Sequence, residues 1–290
     1  MRLFGDLPLY CAHDSADAWA RRGLFALDGR GRIAAEAGVP PDAFAESGQH
    51  WGQPLHDWAR TRPTAGAGGS SACACCTRAS TCCGWTTSAA SPRPGRSRRG
   101  RRTRAAASGS PGRGGRRSTP SPTRWARGRW WPRTCGTITA DVEVLRDALG
   151  LPGMRVLQLA FDGGADNPHL PANHPEWAVA YTGTHDNDTT LGWWRGLDAE
   201  TRAAACAALA TDGATRPGPA IDAVLGSRAR LAVLPLQDLL ALGSEARMNV
   251  PGQRDGNWGW RAPAGVLDER AARAWRTRLA TAGRTPPPSG

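Results

Sequence analysis

Between Thr64 and Gly136 the chain has no Asp, Glu, Lys, Val, Leu, Ile or Phe. Without aliphatic side chains this stretch supplies no ordinary hydrophobic core. Nowhere in the chain is there an apolar run long enough to cross a membrane, and the first residues lack a charged segment leading into an apolar one, so a secretory leader is not expected. Cysteine pairing at metal spacing is nearly absent too. Cys73 and Cys76 form the one C-x-x-C, with no second pair and no His partners at zinc-site distance. A metal site is therefore not expected, and the other thiols, Cys11 and Cys206, read as reduced core or surface residues.

What fills the stretch is fifteen Arg and six of the eight Cys, mixed with Gly, Ser, Pro and Ala. The formal net charge of the chain is +12, and the block carries fifteen positive charges and no negative ones, which leaves the flanks at about −3. The basic character belongs to the block alone. Its Arg residues follow neither a helical nor a strand period, so they align on no face, and loose attraction to polyanions is expected rather than specific nucleic-acid recognition.

The chain thus divides into residues 1–62, a low-complexity segment 63–136 expected to be disordered, and residues 137–290. Leu3–Tyr10 (LFGDLPLY) reads as a buried strand ending in a loop, and Ser15–Arg22 as one or two helical turns. Ala140–Gly150 places Val142, Leu145 and Leu149 on one helical face and stops at a glycine. Met154–Phe161, Trp177–Thr182 and Arg230–Pro235 read as strands. Helices are predicted at Thr189–Leu197, Glu200–Ala210, Ala220–Leu225 and Glu269–Ala280. This alternation predicts an α/β fold and fits part of a parallel (β/α)8 barrel of the TIM type, with catalytic groups at the C-terminal ends of strands. A doubly wound sheet would give a similar pattern in this window.

Four clusters carry the chemistry. The strongest is TGTHDNDTT at Thr182–Thr190, directly after a predicted strand. His185, Asp186, Asn187 and Asp188 suit hydrogen bonding to sugar hydroxyls and a carboxylate beside developing positive charge, whereas the bland reading is a polar loop with Asp188 or Thr189 capping a helix. A second cluster joins Asp6 in GDLP to Asp14 in HDSAD, and a third is GQHWGQP, where Trp51 suits sugar stacking and Gln49 and His50 offer hydrogen bonds. Trp51 is equally compatible with a half-buried ring under a loop. The fourth is GSEARMNVPG followed by Asn257 and Trp258, in which Arg247 either pairs with Glu245 or Asp255 or orients a substrate hydroxyl.

In this order the clusters resemble the 4-alpha-glucanotransferases, also called amylomaltases or disproportionating enzymes. The resemblance runs through GDLPLYCAHDSADAWA, GVPPDAFAESGQHWGQPLHDW, ITADVEVLRDALGLPGMRVLQLAFDGG, YTGTHDNDTTLGWW, and PLQDLLALGSEARMNVPG with GNWGWR. It implies a (β/α)8 barrel, maltodextrin substrates, a cytoplasmic setting, no metal or organic cofactor, and α-1,4-glucan transfer through a covalent glycosyl-enzyme with net retention. Asp186 matches the carboxylate that stabilises the transition state, His185 a substrate hydrogen-bonding partner. Asp6, Asp14, Gln49 and Trp51, then Asn187 and Arg247, are the further sugar-site candidates. The nucleophile belongs to a motif like R-I-D-H-F-R-G and the acid/base to one like A-E-D-L-G. Both should lie between Asp57 and Thr137, and neither is there.

The genetic code suggests why. Joining the last base of one codon to the first two of the next, Trp85–Thr86 gives only Asp, and the neighbouring pairs permit R-M-D-H-F around it. Trp130–Trp131 gives only Val and Trp131–Pro132 only Ala, and the following pairs permit Glu, Asp and Leu before Gly136. The block therefore reads as the same gene translated in a shifted frame. On this reading Met1 is an internal start or an assembly edge near the third barrel strand, the first, second, fourth and much of the fifth strand are missing, and the chain is expected to be inactive. The competing readings are a noncatalytic Arg-rich polyanion-binding protein and an amylase-type hydrolase. GSEARMN and GQHWGQP speak against the hydrolase.

Overall fold

The computed structural model describes residues 4–7, 10–39, 48–57, 82–88, 95–96, 108–109, 129–135, 140–148, 150–212, 217–253 and 255–284. The chain forms two compact units, Met1–Gly153 and Met154–Gly290. The expected C-x-x-C at Cys73–Cys76 and most of the Arg-rich run lie outside the described residues.

In the first unit strand β1, Phe4–Leu7, takes up the predicted apolar run. Helix α1, Ala16–Ala20, starts where Ser15 accepts a hydrogen bond from the Ala18 amide at 3.3 Å. Strands β2, Glu36–Val39, and β3, Gln49–Pro54, pair antiparallel, with an irregularity between Glu36 and Gly38. Four further strands lie inside the block expected to be disordered: β4, Cys82–Ser88, β5, Gly95–Arg96, β6, Ser108–Gly109, and β7, Arg129–Cys135. Strands β5 and β6 pair antiparallel, whereas β1, β4 and β7 form one sheet in the order β1-β4-β7, parallel throughout.

Within the block, extended segments are thus described at 82–88 and 129–135. Ladder bonds join backbone to backbone, and the Trp and Thr of CCGWTTS and RWWPRTC are residues that favour extended geometry. Pro132 lies on β7, which pairs with β4 alone, and an edge strand is where proline is tolerated. Helix α2, Ala140–Ala148, follows and ends at Gly150, whose φ of +62° suits glycine as a helix stop.

The second unit has a sheet in the order β10-β9-β8, with β10 and β9 parallel. Its strands are β8, Gly153–Val156, β9, Ala178–Tyr181, and β10, Leu231–Val233. Strand β8 is shorter than predicted because Leu157–Leu159 turns into a 3-10 helix. Around the sheet lie helices α3, Thr190–Gly196, α4, Ala199–Ala208, α5, Gly218–Gly226, and α6, Leu236–Leu239, with α7, Glu269–Thr281, near the end of the chain. All but α6 were legible as helices. Asp198 caps α4 and Asp268 caps α7 through the amides of Thr201 and Ala271.

The core is apolar. Leu157, Ala178, Ala180, Trp194, Ala205 and Val224 are its buried members, with every residue of β9 buried, as expected for a strand flanked on both faces. Strand β9, central in this sheet, is thus the fixed base from which the next loop springs.

Candidate functional site

The loop after β9 is anchored at both ends by one buried carboxylate. Thr182 at its start donates its hydroxyl to Asp238 at 2.5 Å, and Thr190, the first residue of α3, donates both amide (2.7 Å) and hydroxyl (2.6 Å) to the same group. Asp238 is 2% exposed. Three donors in a dry setting satisfy its oxygens, so β9 and α3 keep a fixed separation. Thr189 caps α3 by accepting from the Gly192 amide at 3.0 Å, which settles which of Asp188 and Thr189 is the cap.

Between these anchors stand His185 and Asp186. His185 Nε2 lies 3.3 Å from Asp186 Oδ1, and both side chains are one third exposed. Asn187 braces the loop from within, its Oδ1 accepting from the Thr184 amide (3.0 Å) and hydroxyl (2.8 Å). Gln158 donates to the Asp188 carbonyl at 2.8 Å, and Asp188 accepts from the Ser244 hydroxyl at 2.6 Å.

The segment after α6 is the loop's second support. Arg247 donates through Nη2 to the Asp186 carbonyl oxygen (2.7 Å) and through Nε to the Asn249 carbonyl (2.9 Å). Its two expected carboxylate partners, Glu245 and Asp255, take no part in these bonds. Asn249 donates its side-chain amide to Asp186 Oδ1 at 2.7 Å and its backbone amide to the His185 carbonyl at 3.1 Å. Trp258 sets its ring against His185, with centroids 5.1 Å apart and planes at 44°. Of the residues proposed from sequence, His185, Asp186, Asn187 and Arg247 therefore meet in one place. Asn249 and Trp258 stood in the fourth cluster without a role of their own, and Asp238 was not proposed. A polar side chain flanked by Met248 and Val250, and a carboxylate inside the apolar PLQDLL, give little local sign of a role.

The first-unit candidates are placed as follows. Asp6 lies on β1 as the register partner of Gly84 in β4. Asp14 lines an open cavity of about 390 Å³ with His13, Ser15, Trp19 and Arg22. Gln49 and Trp51 lie on β3, where the indole nitrogen donates to Gln49 Oε1 at 3.1 Å and the ring meets Tyr10 edge-on at 5.7 Å. Trp51 is half-buried, and burial raises the Tyr10 phenol above its ordinary value. His169 and His174, further along in the second unit, are packed for structure: the Val156 amide donates to His169 Nδ1 at 3.0 Å, and burial, with Arg155 and His174 nearby, pushes His169 down to about 4. Among the described residues there is no cluster of three or more metal-ligating side chains, and no helix is long and apolar enough to cross a membrane.

A carboxylate pinned by an amide, a partly open imidazole beside it and an aromatic ring against the imidazole thus gather in the loop after β9 and the segments that support it. Comparison with known proteins identifies the family. The sequence model for 4-alpha-glucanotransferase, glycoside hydrolase family 77, matches residues 1–65 and 134–267 and passes over the Arg-rich block. A 4-alpha-glucanotransferase of Thermus thermophilus is 40% identical over 312 residues, covering 94% of this chain and 56% of that protein. A chloroplastic/amyloplastic one of Arabidopsis thaliana is 38% identical over 287 residues, covering 90% and 46%. The chain therefore spans about half the length of the curated relatives it matches. Among solved structures, amylomaltase from Streptococcus agalactiae in complex with acarbose superposes with a TM-score of 0.88 at 25% identity, over 99% of this chain and 58% of that one. With matching sequence in both flanks and a matching fold, the chain belongs to the 4-alpha-glucanotransferase family.

Proposed function

We propose that this chain carries the sugar site of an enzyme that moves α-1,4-glucan segments between maltodextrins, and that as it stands it cannot form the glycosyl-enzyme. The two units are, on this reading, parts of one (β/α)8 barrel in a cytoplasmic protein. Asp186 stabilises the oxocarbenium-like transition state and His185 binds a sugar hydroxyl. Arg247 and Asn249 hold Asp186 in place, and Asp6, Asp14, Gln49 and Trp51 contribute further sugar contacts. A retaining double displacement also needs a nucleophile and an acid/base, two carboxyl groups about 5–5.5 Å apart.

The observation that carries the reading is a register. Strands β4 and β7 contain no carboxylate, yet Trp85 pairs with Pro132 and Thr86 with Arg133 across them. The codon junction Trp85–Thr86 spells Asp in the shifted frame, and the junction Pro132–Arg133 permits Glu. Both missing carboxylates would thus stand at the same level on adjacent parallel strands whose backbones run about 4.8 Å apart, near enough for the two side chains to face one substrate bond. An unrelated Arg-rich insertion gives no reason for that coincidence.

The test has two arms. Incubated with maltotriose, the chain is expected to release no glucose and to form no longer maltodextrin above background. A gene restored to the alternative frame between the codons for Thr61 and Thr137, and extended upstream to the relatives' full length, is expected to disproportionate maltotriose. Activity in the first arm would overturn the inactivity, and inertness of a folded product in the second would overturn the frame reading.

A further inference from the structure

Trp258 holds a conformation that neither burial nor local sequence explains. Its φ is +63°, a left-handed backbone that costs free energy in any residue with a side chain, and it is 51% exposed, so no core packing recovers that cost. The strain is held from both sides. The Trp258 amide donates to the Met248 carbonyl at 2.7 Å, and Arg261 Nη1 donates to the Trp258 carbonyl at 2.8 Å and the Trp260 carbonyl at 2.9 Å. One residue earlier, Asn257 accepts from the Val250 amide at 2.9 Å and donates to the Gln253 carbonyl at 2.9 Å.

What this clamping achieves is a fixed direction for the indole. The ring rests on His185, the neighbour of Asp186, and half of the residue stays open to solvent. Among the described residues the other exposed tryptophans differ: Trp177 lies under the Arg230 guanidinium, and Trp19 stands on α1, and neither has a positive φ. A strained, over-determined aromatic at the rim of a site is a recognition surface rather than a fold element.

We propose that Trp258 is a pre-set aromatic platform forming a sugar-binding subsite beside His185 and Asp186, its ligand the C–H face of one glucose ring of a maltodextrin. The inference rests on the glucan reading above and adds to it a residue that sets where the chain of sugars lies. A pyranose presents a face of C–H bonds to a π-cloud, while its equatorial hydroxyls point outward towards polar neighbours, and an indole offers the largest such platform among side chains. Fixing the ring in advance removes the ordering cost that a mobile tryptophan would bring to binding.

The backbone geometry supplies the test. Glycine adopts φ of +63° without strain, so Trp258→Gly should fold at least as well as the native chain. The full chain, Trp258→Gly, Trp258→Phe and Trp258→Leu are titrated calorimetrically with maltoheptaose, and their unfolding temperatures are measured. The expected result is an unchanged or raised unfolding temperature for Trp258→Gly, with binding about tenfold weaker than native and Trp258→Phe within about threefold. Maltoheptaose binding by Trp258→Gly within twofold of native would overturn the platform and leave the glucan reading standing. A native chain that binds no maltoheptaose at millimolar concentration would overturn both. Should Trp258→Gly unfold, the pair Trp258→Phe and Trp258→Leu decides: equal affinities refute an aromatic platform, and a selective loss in the leucine variant supports it.

Discussion

Asp238 offers the sharpest check on how the site loop is held. Replacing it with alanine abandons three buried donors at once, the hydroxyls of Thr182 and Thr190 and the Thr190 amide, at residues no more than 2% exposed. A buried donor without a partner costs about 1–3 kcal/mol. The hydroxyls rotate and recover part of this, while the amide is fixed at the first residue of α3 and recovers none. With the small cavity added, Asp238→Ala should destabilise the chain by about 3–5 kcal/mol. Asp238→Asn keeps one acceptor oxygen for the amide and loses the charge, so about 1–2 kcal/mol is expected. Urea unfolding of the full chain, followed by tryptophan fluorescence and near-ultraviolet dichroism, measures both. A cycle with Thr190→Val should show a coupling of at least about 1 kcal/mol, because both variants remove the same bond. If Asp238→Ala costs less than about 1 kcal/mol with an unchanged urea slope, the carboxylate is not the anchor described and the loop is held by something else.

Other consequences can be measured on the same protein. His169 is neutral in the fold and ordinary, near 6.5, when unfolded, so below that pH the unfolded chain takes up the proton first. Stability should therefore be complete above about pH 6.5 and decline as pH falls towards 4, by up to about 3 kcal/mol, and His169→Asn should flatten that slope in urea titrations at several pH values. A Cβ at Gly192 would run into the Ser244 hydroxyl and the Asp188 carboxylate, so Gly192→Ala should cost about 1–3 kcal/mol in thermal unfolding, and a neutral result would show that this contact yields freely. On the glucan reading proposed above, Asn249→Ala removes one donor from Asp186 Oδ1 and should weaken maltoheptaose binding about fivefold, roughly 1 kcal/mol, without unfolding the chain. Equal maltoheptaose affinity would mean that Asp186 needs no such support.

Most elements were legible because their signals are local. The Ser15, Thr189, Asp198 and Asp268 caps, the glycine stop at Gly150 and the apolar runs of β9 and β10 each depend on residues within a turn of one another. Strand β3 and helix α6 were missed for the converse reason. GQHWGQP has no strict alternation of apolar residues, and its extended form comes from pairing with β2, while LQDL becomes helical where Asp238 is drawn to donors 48 and 56 residues away. The same division runs through the site. His185 and Asp186 announce themselves in sequence, but what orients them, the Asn249 amide 63 residues on and the Trp258 ring, exists only once the chain has folded.

The Arg-rich block inverts that lesson. Its composition argues against any strand, and residue by residue CCGWTTS and RWWPRTC look like nothing catalytic. Yet β4 pairs with β1 and β7 in continuous parallel register, with Trp85 beside Leu7 on one side and Pro132 on the other. Backbone pairing is indifferent to which frame supplied the side chains, whereas covalent catalysis needs an oxygen nucleophile on a particular one. A shifted frame can therefore leave the extended segments where a carboxylate pair would belong and remove the pair itself. On the proposed frame reading the loss falls on the reacting carboxylates, and Asp186, held by Arg247 and Asn249, is expected to bind sugar in a chain without them.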